Sequence, residues 1–184
     1  MRILAISGSL RSGSFNTGVA RAAIELAPDG VEVELYDELG QLPPFDQDRD
    51  GEDASAEVRD LRERIAAADA VLFVTPEYNG SIPGVLKNAI DWASRPRSDA
   101  ALAGKTVAVA GATTGQYGAL WAQQDLRRVL GIAGARVLEG ELPVARAQTV
   151  FDESGRLVDA GVADRLRRHL ESLVAEASPI ALAA

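Results

Sequence analysis

Two short runs, Ala70-Val-Leu-Phe-Val-Thr75 and Thr106-Val-Ala-Val-Ala110, contain no charged residue and no alternation of polar with apolar positions. A strand with one wet face alternates with period two, so runs like these belong to central strands of a parallel sheet covered on both faces. Arg2 to Ser7 is a third run of the same kind, rich in Ile and Leu. Val31-Glu-Val-Glu-Leu-Tyr36 does alternate, as a half-buried strand should, and Arg136-Val-Leu-Glu139 is a short fifth candidate.

Helical patterns fill the intervals: Thr17 to Ala27, Ser55 to Ala67, Pro83 to Ser94, Gly118 to Ile132 and Val162 to Ala177. Asn16 is placed to cap the first, Ser81 stands just before Pro83 at the third, and Gly131 and Gly134 close the fourth. Strands alternating with helices across short loops give a parallel sheet with helices on both faces. No repeat or low-complexity linker interrupts residues 1–184, which predicts a single α/β domain. The residue-rich loops follow the first, third and fourth strands. That favours the flavodoxin-like, doubly wound five-stranded order 2-1-3-4-5, whose ligand crevice opens between the ends of strands 1 and 3.

The loop after the first strand reads GSLRSGSFN, residues 8–16. Mobile backbone, hydroxyl donors and one fixed positive charge at the start of a helix suit a phosphate group. Gly8 and Gly13 have the spacing of a Walker A loop, but Ser14 and Phe15 stand where that motif needs Lys and then Ser or Thr, and there is no GxGxxG. What remains is a cup for one monoester phosphate, with a plain serine-rich turn as the alternative. After the third strand comes PEYNGSIPG, which offers an aromatic ring, an amide side chain and Gly80 to a flat heteroaromatic ligand. A phosphate cup at strand 1 and a stacking loop at strand 3 together describe FMN better than other common cofactors.

Composition narrows the chemistry. There is no cysteine, which excludes disulfides, thiol nucleophiles and thiolate metal sites. A net charge of −8 argues against a nucleic-acid partner. No run approaches the roughly 20 apolar residues of a membrane span, and the apolar run after Arg2 is too short for a secretory signal. A cytoplasmic location is therefore expected.

The stretches SGSLRSGSFN, TPEYNGSIPGVLKNAIDWASR and LAGKTVAVAGATTG resemble the NADPH-dependent FMN reductase family, which includes bacterial quinone, azo and chromate reductases. The resemblance runs from Met1 to about Leu142. It implies a flavodoxin-like fold that holds FMN noncovalently, with NADPH or NADH as co-substrate. It places the FMN phosphate on Ser9, Arg11, Ser14 and Asn16, next to Phe15. The isoalloxazine would lie against Pro76, Glu77, Tyr78, Asn79 and Gly80, with Thr113 close to the ring. It also implies a homodimer or homotetramer. Members resembling chromate reductases often carry Arg and Tyr early in the fourth helix, where this chain has Trp121 and Gln124, which counts against chromate as the acceptor and against that mode of tetramer assembly.

With no cysteine and a single histidine far from the loops, the bound cofactor must carry the reaction and no side chain is expected to be catalytic in its own right. The implied scheme is ping-pong: hydride from NAD(P)H to the flavin, then two electrons to a small acceptor on the same face. Neutral planar acceptors, quinones above all, suit an acidic protein. The rival readings are a flavodoxin-type electron carrier and a flavin-sensing binding protein.

Three further features have plain readings. Asp46 to Glu57 matches an EF-hand loop, but Pro43-Pro44 breaks the entering helix and Asp53 takes a usually apolar place, so it reads as an acidic, solvated loop capping the second helix. Arg165, Arg167, Arg168 and His169 read as the wet face of an amphipathic last helix. Trp92 belongs either to the core or to a subunit contact.

Overall fold

The computed structural model describes residues 1–178. The single-domain expectation extended to residues 179–184, which lie outside the described residues. Eleven regular elements follow in chain order: β1 (Arg2–Ser7), α1 (Phe15–Glu25), β2 (Glu32–Tyr36), α2 (Ala56–Ala67), β3 (Ala70–Val74), α3 (Gly84–Ala93), β4 (Thr106–Ala112), α4 (Leu120–Ile132), β5 (Arg136–Val137), β6 (Leu142–Val144) and α5 (Ala160–Ala177). All strand pairings are parallel, in the order β2-β1-β3-β4-β5, with β6 also on β4. This is the doubly wound, flavodoxin-like order expected from the loops.

The pleat sorts the strand side chains between two cores. Ile3, Ala5, Leu72, Val74, Ala108 and Ala110 pack with α1 and α5, whereas Leu4, Ile6, Val71, Phe73, Val107 and Val109 pack with α2, α3 and α4. Every residue of β3 and β4 is buried, which is why neither strand alternates. Trp92 lies in the second core at 1% exposure, with its indole N–H donating to Pro43 O at 2.8 Å and Phe45 edge-on at 4.9 Å.

Two expectations need correction here. The fifth strand is not continuous over Arg136–Glu139. β5 pairs with the start of β4 and β6 with its end, and between them Gly140 has a φ of 85° that extended backbone does not allow. His169 is likewise not on a wet face. Its Nε2 sits 2.9 Å from the carbonyl oxygen of Val109, the stretch of β4 between its β5 and β6 pairings. The acceptor is a carbonyl, so Nε2 carries the hydrogen, and burial pushes the imidazole below its ordinary pKa.

The acidic loop is built on short turns. Asp46 accepts from Asp48 N, and Asp50 pairs with Arg62 at 2.6 Å. Ser55, with its Oγ 3.5 Å from Val58 N, caps α2.

Candidate functional site

β1 leaves the sheet tightly. Gly8 N donates to Val74 O at 2.8 Å, and a Cβ at Gly8 would meet Leu86 Cδ2 at 2.9 Å, so glycine lets the loop turn this close to α3 without displacing that side chain. α1 is capped by Ser14 rather than Asn16: Ser14 has extended backbone, and its Oγ accepts from the amides of Asn16 at 3.2 Å and Thr17 at 3.4 Å. Its own hydroxyl hydrogen remains available. Between Gly8 and the cap, the amides of Leu10, Ser12 and Gly13 have no hydrogen-bond partner among the described residues, and neither has that of Phe15. Arg11 and Ser12 are exposed, and the first turn of α1 contains no acidic side chain to neutralise its positive end.

Within the loop this is a donor set with no carboxylate beside it, as a phosphate dianion requires. A concavity of about 300 Å³ adjoins it, lined by Ser9, Arg11, Ser12, Thr17 and Arg21 and, opposite, by Asp37 and Gln41. It opens toward the segment after β2, on the flank of β1 away from β3.

Asn16 has another task. Its carboxamide donates to Ala112 O at 2.9 Å and accepts from Ala112 N at 2.8 Å, all buried. The first turn of α1 is thereby clamped to the end of β4, which fixes the phosphate loop against the third loop. The Oδ1 and one Nδ2 hydrogen of the side chain that Asn16 was expected to offer a phosphate are thus engaged by backbone.

The loop after β3 is rigid at its tip. Tyr78 N donates to Ser81 O at 3.0 Å and Ser81 N to Tyr78 O at 3.2 Å, while Asn79 and Gly80 have φ of 54° and 77°. Positive φ at both central residues makes a type I′ turn, for which Asn-Gly is the favoured pair. Gly80 supplies this fixed geometry rather than flexibility. Pro76 is buried, Glu77 half-buried, and Tyr78 is 48% exposed.

The loop is also tied to α4. That helix starts after Gly118 and Ala119, both with left-handed φ, so its expected start at Gly118 moves to Leu120, and no side chain of its own caps it. Glu77 does so from β3's loop, accepting from Ala122 N at 3.2 Å. One turn further on, Ser81 Oγ donates to Asp125 Oδ2 at 2.5 Å. Ser81 therefore does not cap α3, which starts after Pro83 without a side-chain cap.

The third loop is held by backbone. Thr113 N donates to Val144 O at 3.1 Å and Thr113 O accepts from Ala147 N at 2.9 Å, so Thr113 is fixed at the same sheet edge. Buried Gln123, which the sequence reading passed over, donates to Gly118 O at 2.8 Å and accepts from Leu142 N at 3.0 Å. Tyr117 and Trp121 pair at 4.9 Å between ring centroids, both about half exposed.

Parallel register brings the three loops to one edge, since Ser7 lies beside Val74 and Val74 beside Ala110. A larger concavity lies elsewhere, a groove of about 540 Å³ between α3 and α4 lined by Lys87, Arg95, Arg97 and Ile132. Residues 1–149 match the family of NADPH-dependent FMN reductases. The chain belongs to that family.

Among its relatives, an NAD(P)H-dependent FMN reductase of Pseudomonas aeruginosa is 43% identical over 174 residues, 94% of this chain and 93% of the relative. A quinone reductase of Escherichia coli is 39% identical over 92% of each chain. The solved structure of FerB, a flavoenzyme NAD(P)H:(acceptor) oxidoreductase from Paracoccus denitrificans, aligns with a TM-score of 0.84 at 35% identity over 96% of both chains. Family membership makes this chain an oxidoreductase dependent on FMN and NAD(P)H. No helix among the described residues is long and apolar enough to cross a membrane.

Proposed function

We propose that the protein is a cytoplasmic, single-domain NAD(P)H:quinone oxidoreductase that works by ping-pong on quinones or similar planar acceptors such as azo compounds and free flavin. The observation that carries this reading is the carboxylate-free donor set of the first loop: four amides without a partner among the described residues, exposed Arg11 and Ser12, and the uncompensated end of α1. It suits FMN, whose phosphate is the charged end of a mononucleotide, and suits riboflavin far less.

Ser9, Arg11, Ser14 and the amide of Phe15 would hold the phosphate, while Asn16 acts through its clamp on Ala112. Pro76, Glu77, Tyr78, Asn79 and Gly80 would border the ring, with Thr113 on the third loop. When bound, FMN supplies a ring that accepts a hydride from NAD(P)H and passes two electrons on, the quinone taking up two protons to become a hydroquinone. The protein's contribution is positioning. The type I′ turn fixes Tyr78, backbone amides and the Asn79 side chain offer donors to the ring's polar edge, and Arg11 supplies a local positive charge on the first loop of a chain whose net charge is −8. A homodimer would close the site, and the neutral half-exposed Tyr117–Trp121 pair favours planar organic acceptors over chromate.

Mixing purified protein with FMN, NADPH and a benzoquinone, while following NADPH oxidation, tests the reading. Turnover that needs both FMN and quinone supports it. Flavin binding without NADPH oxidation favours the electron carrier or the flavin sensor instead.

A further inference from the structure

The turn that carries Tyr78 is fastened at one end by a contact with no part in binding phosphate. Ser81 closes the type I′ turn through its backbone, and its hydroxyl donates to Asp125 Oδ2 at 2.5 Å. Asp125 is held in turn by Arg128, whose Nη2 and Nε lie 2.6 and 3.2 Å from Oδ1. The hydrogen bond from Ser81, and then Arg128, hold the Asp125 carboxyl below its ordinary pKa, so it is ionised at neutral pH and accepts only. Four residues before Asp125, on the same face of α4, stands exposed Trp121, already paired with Tyr117. Glu77 binds the next backbone amide, that of Ala122. The two exposed aromatic edges, Tyr78 on the turn and Trp121 on the helix, are thus linked by Glu77–Ala122 and Ser81–Asp125.

We propose that Asp125, acting through Ser81, is a positioning residue for the second substrate: it latches the Tyr78–Ser81 turn to α4 and so fixes where exposed Tyr78 stands when a planar acceptor stacks on it. This rests on the quinone-reductase reading for its substrate. The latch itself belongs to the flavin-free protein. A charge-assisted hydrogen bond is among the stronger single contacts, and among the described residues it is one of two side-chain hydrogen bonds between this loop and α4. Losing it lets the turn swing without disturbing the first loop, so acceptor binding suffers and FMN binding does not.

The test compares Ser81→Ala, Asp125→Asn, their double variant and Ser81→Thr, which keeps the hydroxyl. Amide hydrogen exchange at Tyr78 and Ser81 in flavin-free protein, FMN affinity, and KM and kcat for a benzoquinone are measured for each. Expected are faster exchange in both single variants, a KM raised about tenfold with kcat and FMN affinity changed less than about twofold, a double variant no worse than either single one, and recovery in Ser81→Thr. Unchanged exchange, or additive effects of the two substitutions, would overturn the latch. If the wild-type protein takes up no FMN or reduces no quinone, the functional reading fails, and the exchange data still decide whether the latch exists.

Discussion

Replacing Asn16 with Ala separates scaffold from ligand contact. The carboxamide pairs with both the N–H and the C=O of Ala112, at 2.8 and 2.9 Å, and Asn16 is 4% exposed. Alanine would leave both backbone groups buried without partners, and each such group costs about 1–3 kcal/mol. Partial relaxation and water entry keep the sum near the lower end, so a loss of about 3 kcal/mol is expected. At roughly 2–4 °C per kcal/mol for a domain of this size, Tm should fall by about 6–12 °C. The assay is thermal unfolding of flavin-free protein followed by far-UV circular dichroism, with urea unfolding as a second measure. Asp in place of Asn keeps the acceptor toward Ala112 N but sets an oxygen against Ala112 O, so it should not rescue. A variant within about 0.5 kcal/mol of wild type that has nonetheless lost FMN would refute the clamp and return Asn16 to the phosphate.

Arg11→Ala should weaken FMN binding far more than riboflavin binding, by about tenfold or more in Kd, because only FMN carries the charged group; equal losses by fluorescence titration would contradict the assignment. His169 predicts an acid limb of stability. Its folded pKa is depressed, so the unfolded chain binds the proton more readily, and stability should drop as pH falls from about 6.5 toward the folded value; a His169→Gln variant should flatten that limb in pH-dependent urea melts. Tyr36 has a buried hydroxyl without a partner, and burial, reinforced by Asp60 and Glu38, pushes it up to about 12. Tyr36→Phe should therefore leave stability unchanged or raise it by about 1 kcal/mol, and a loss of that size would show that the hydroxyl has a partner after all.

Where burial alone sets the pattern, the sequence was readable. Arg2–Ser7 came through with its bounds intact, and β3 and β4 differ from expectation by one or two residues, because a strand covered on both faces is apolar at every position. The decorated loops likewise pointed to strand order. What escaped were contacts made by residues distant in the chain. Ser14 and Asn16 are both good caps, and only the approach of Ala112, 96 residues away, draws Asn16 off the helix. His169 resembled its arginine neighbours until β4 was beside it. Two signals were present but unread. Asn79-Gly80 is the favoured pair for a type I′ turn, and Gly118-Ala-Leu-Trp-Ala122 lacks any capping side chain, so an acceptor had to come from another element, as Glu77 does.

The central claim is that the first loop's unpartnered donors close on a phosphate. An amide NMR titration of the flavin-free protein tests it most directly. FMN should shift the amide signals of Leu10, Ser12, Gly13 and Phe15 strongly downfield, and riboflavin should leave those four nearly still while moving Tyr78 and Gly80. If FMN leaves them unmoved and instead shifts residues of the α3–α4 groove, the account of this site is wrong.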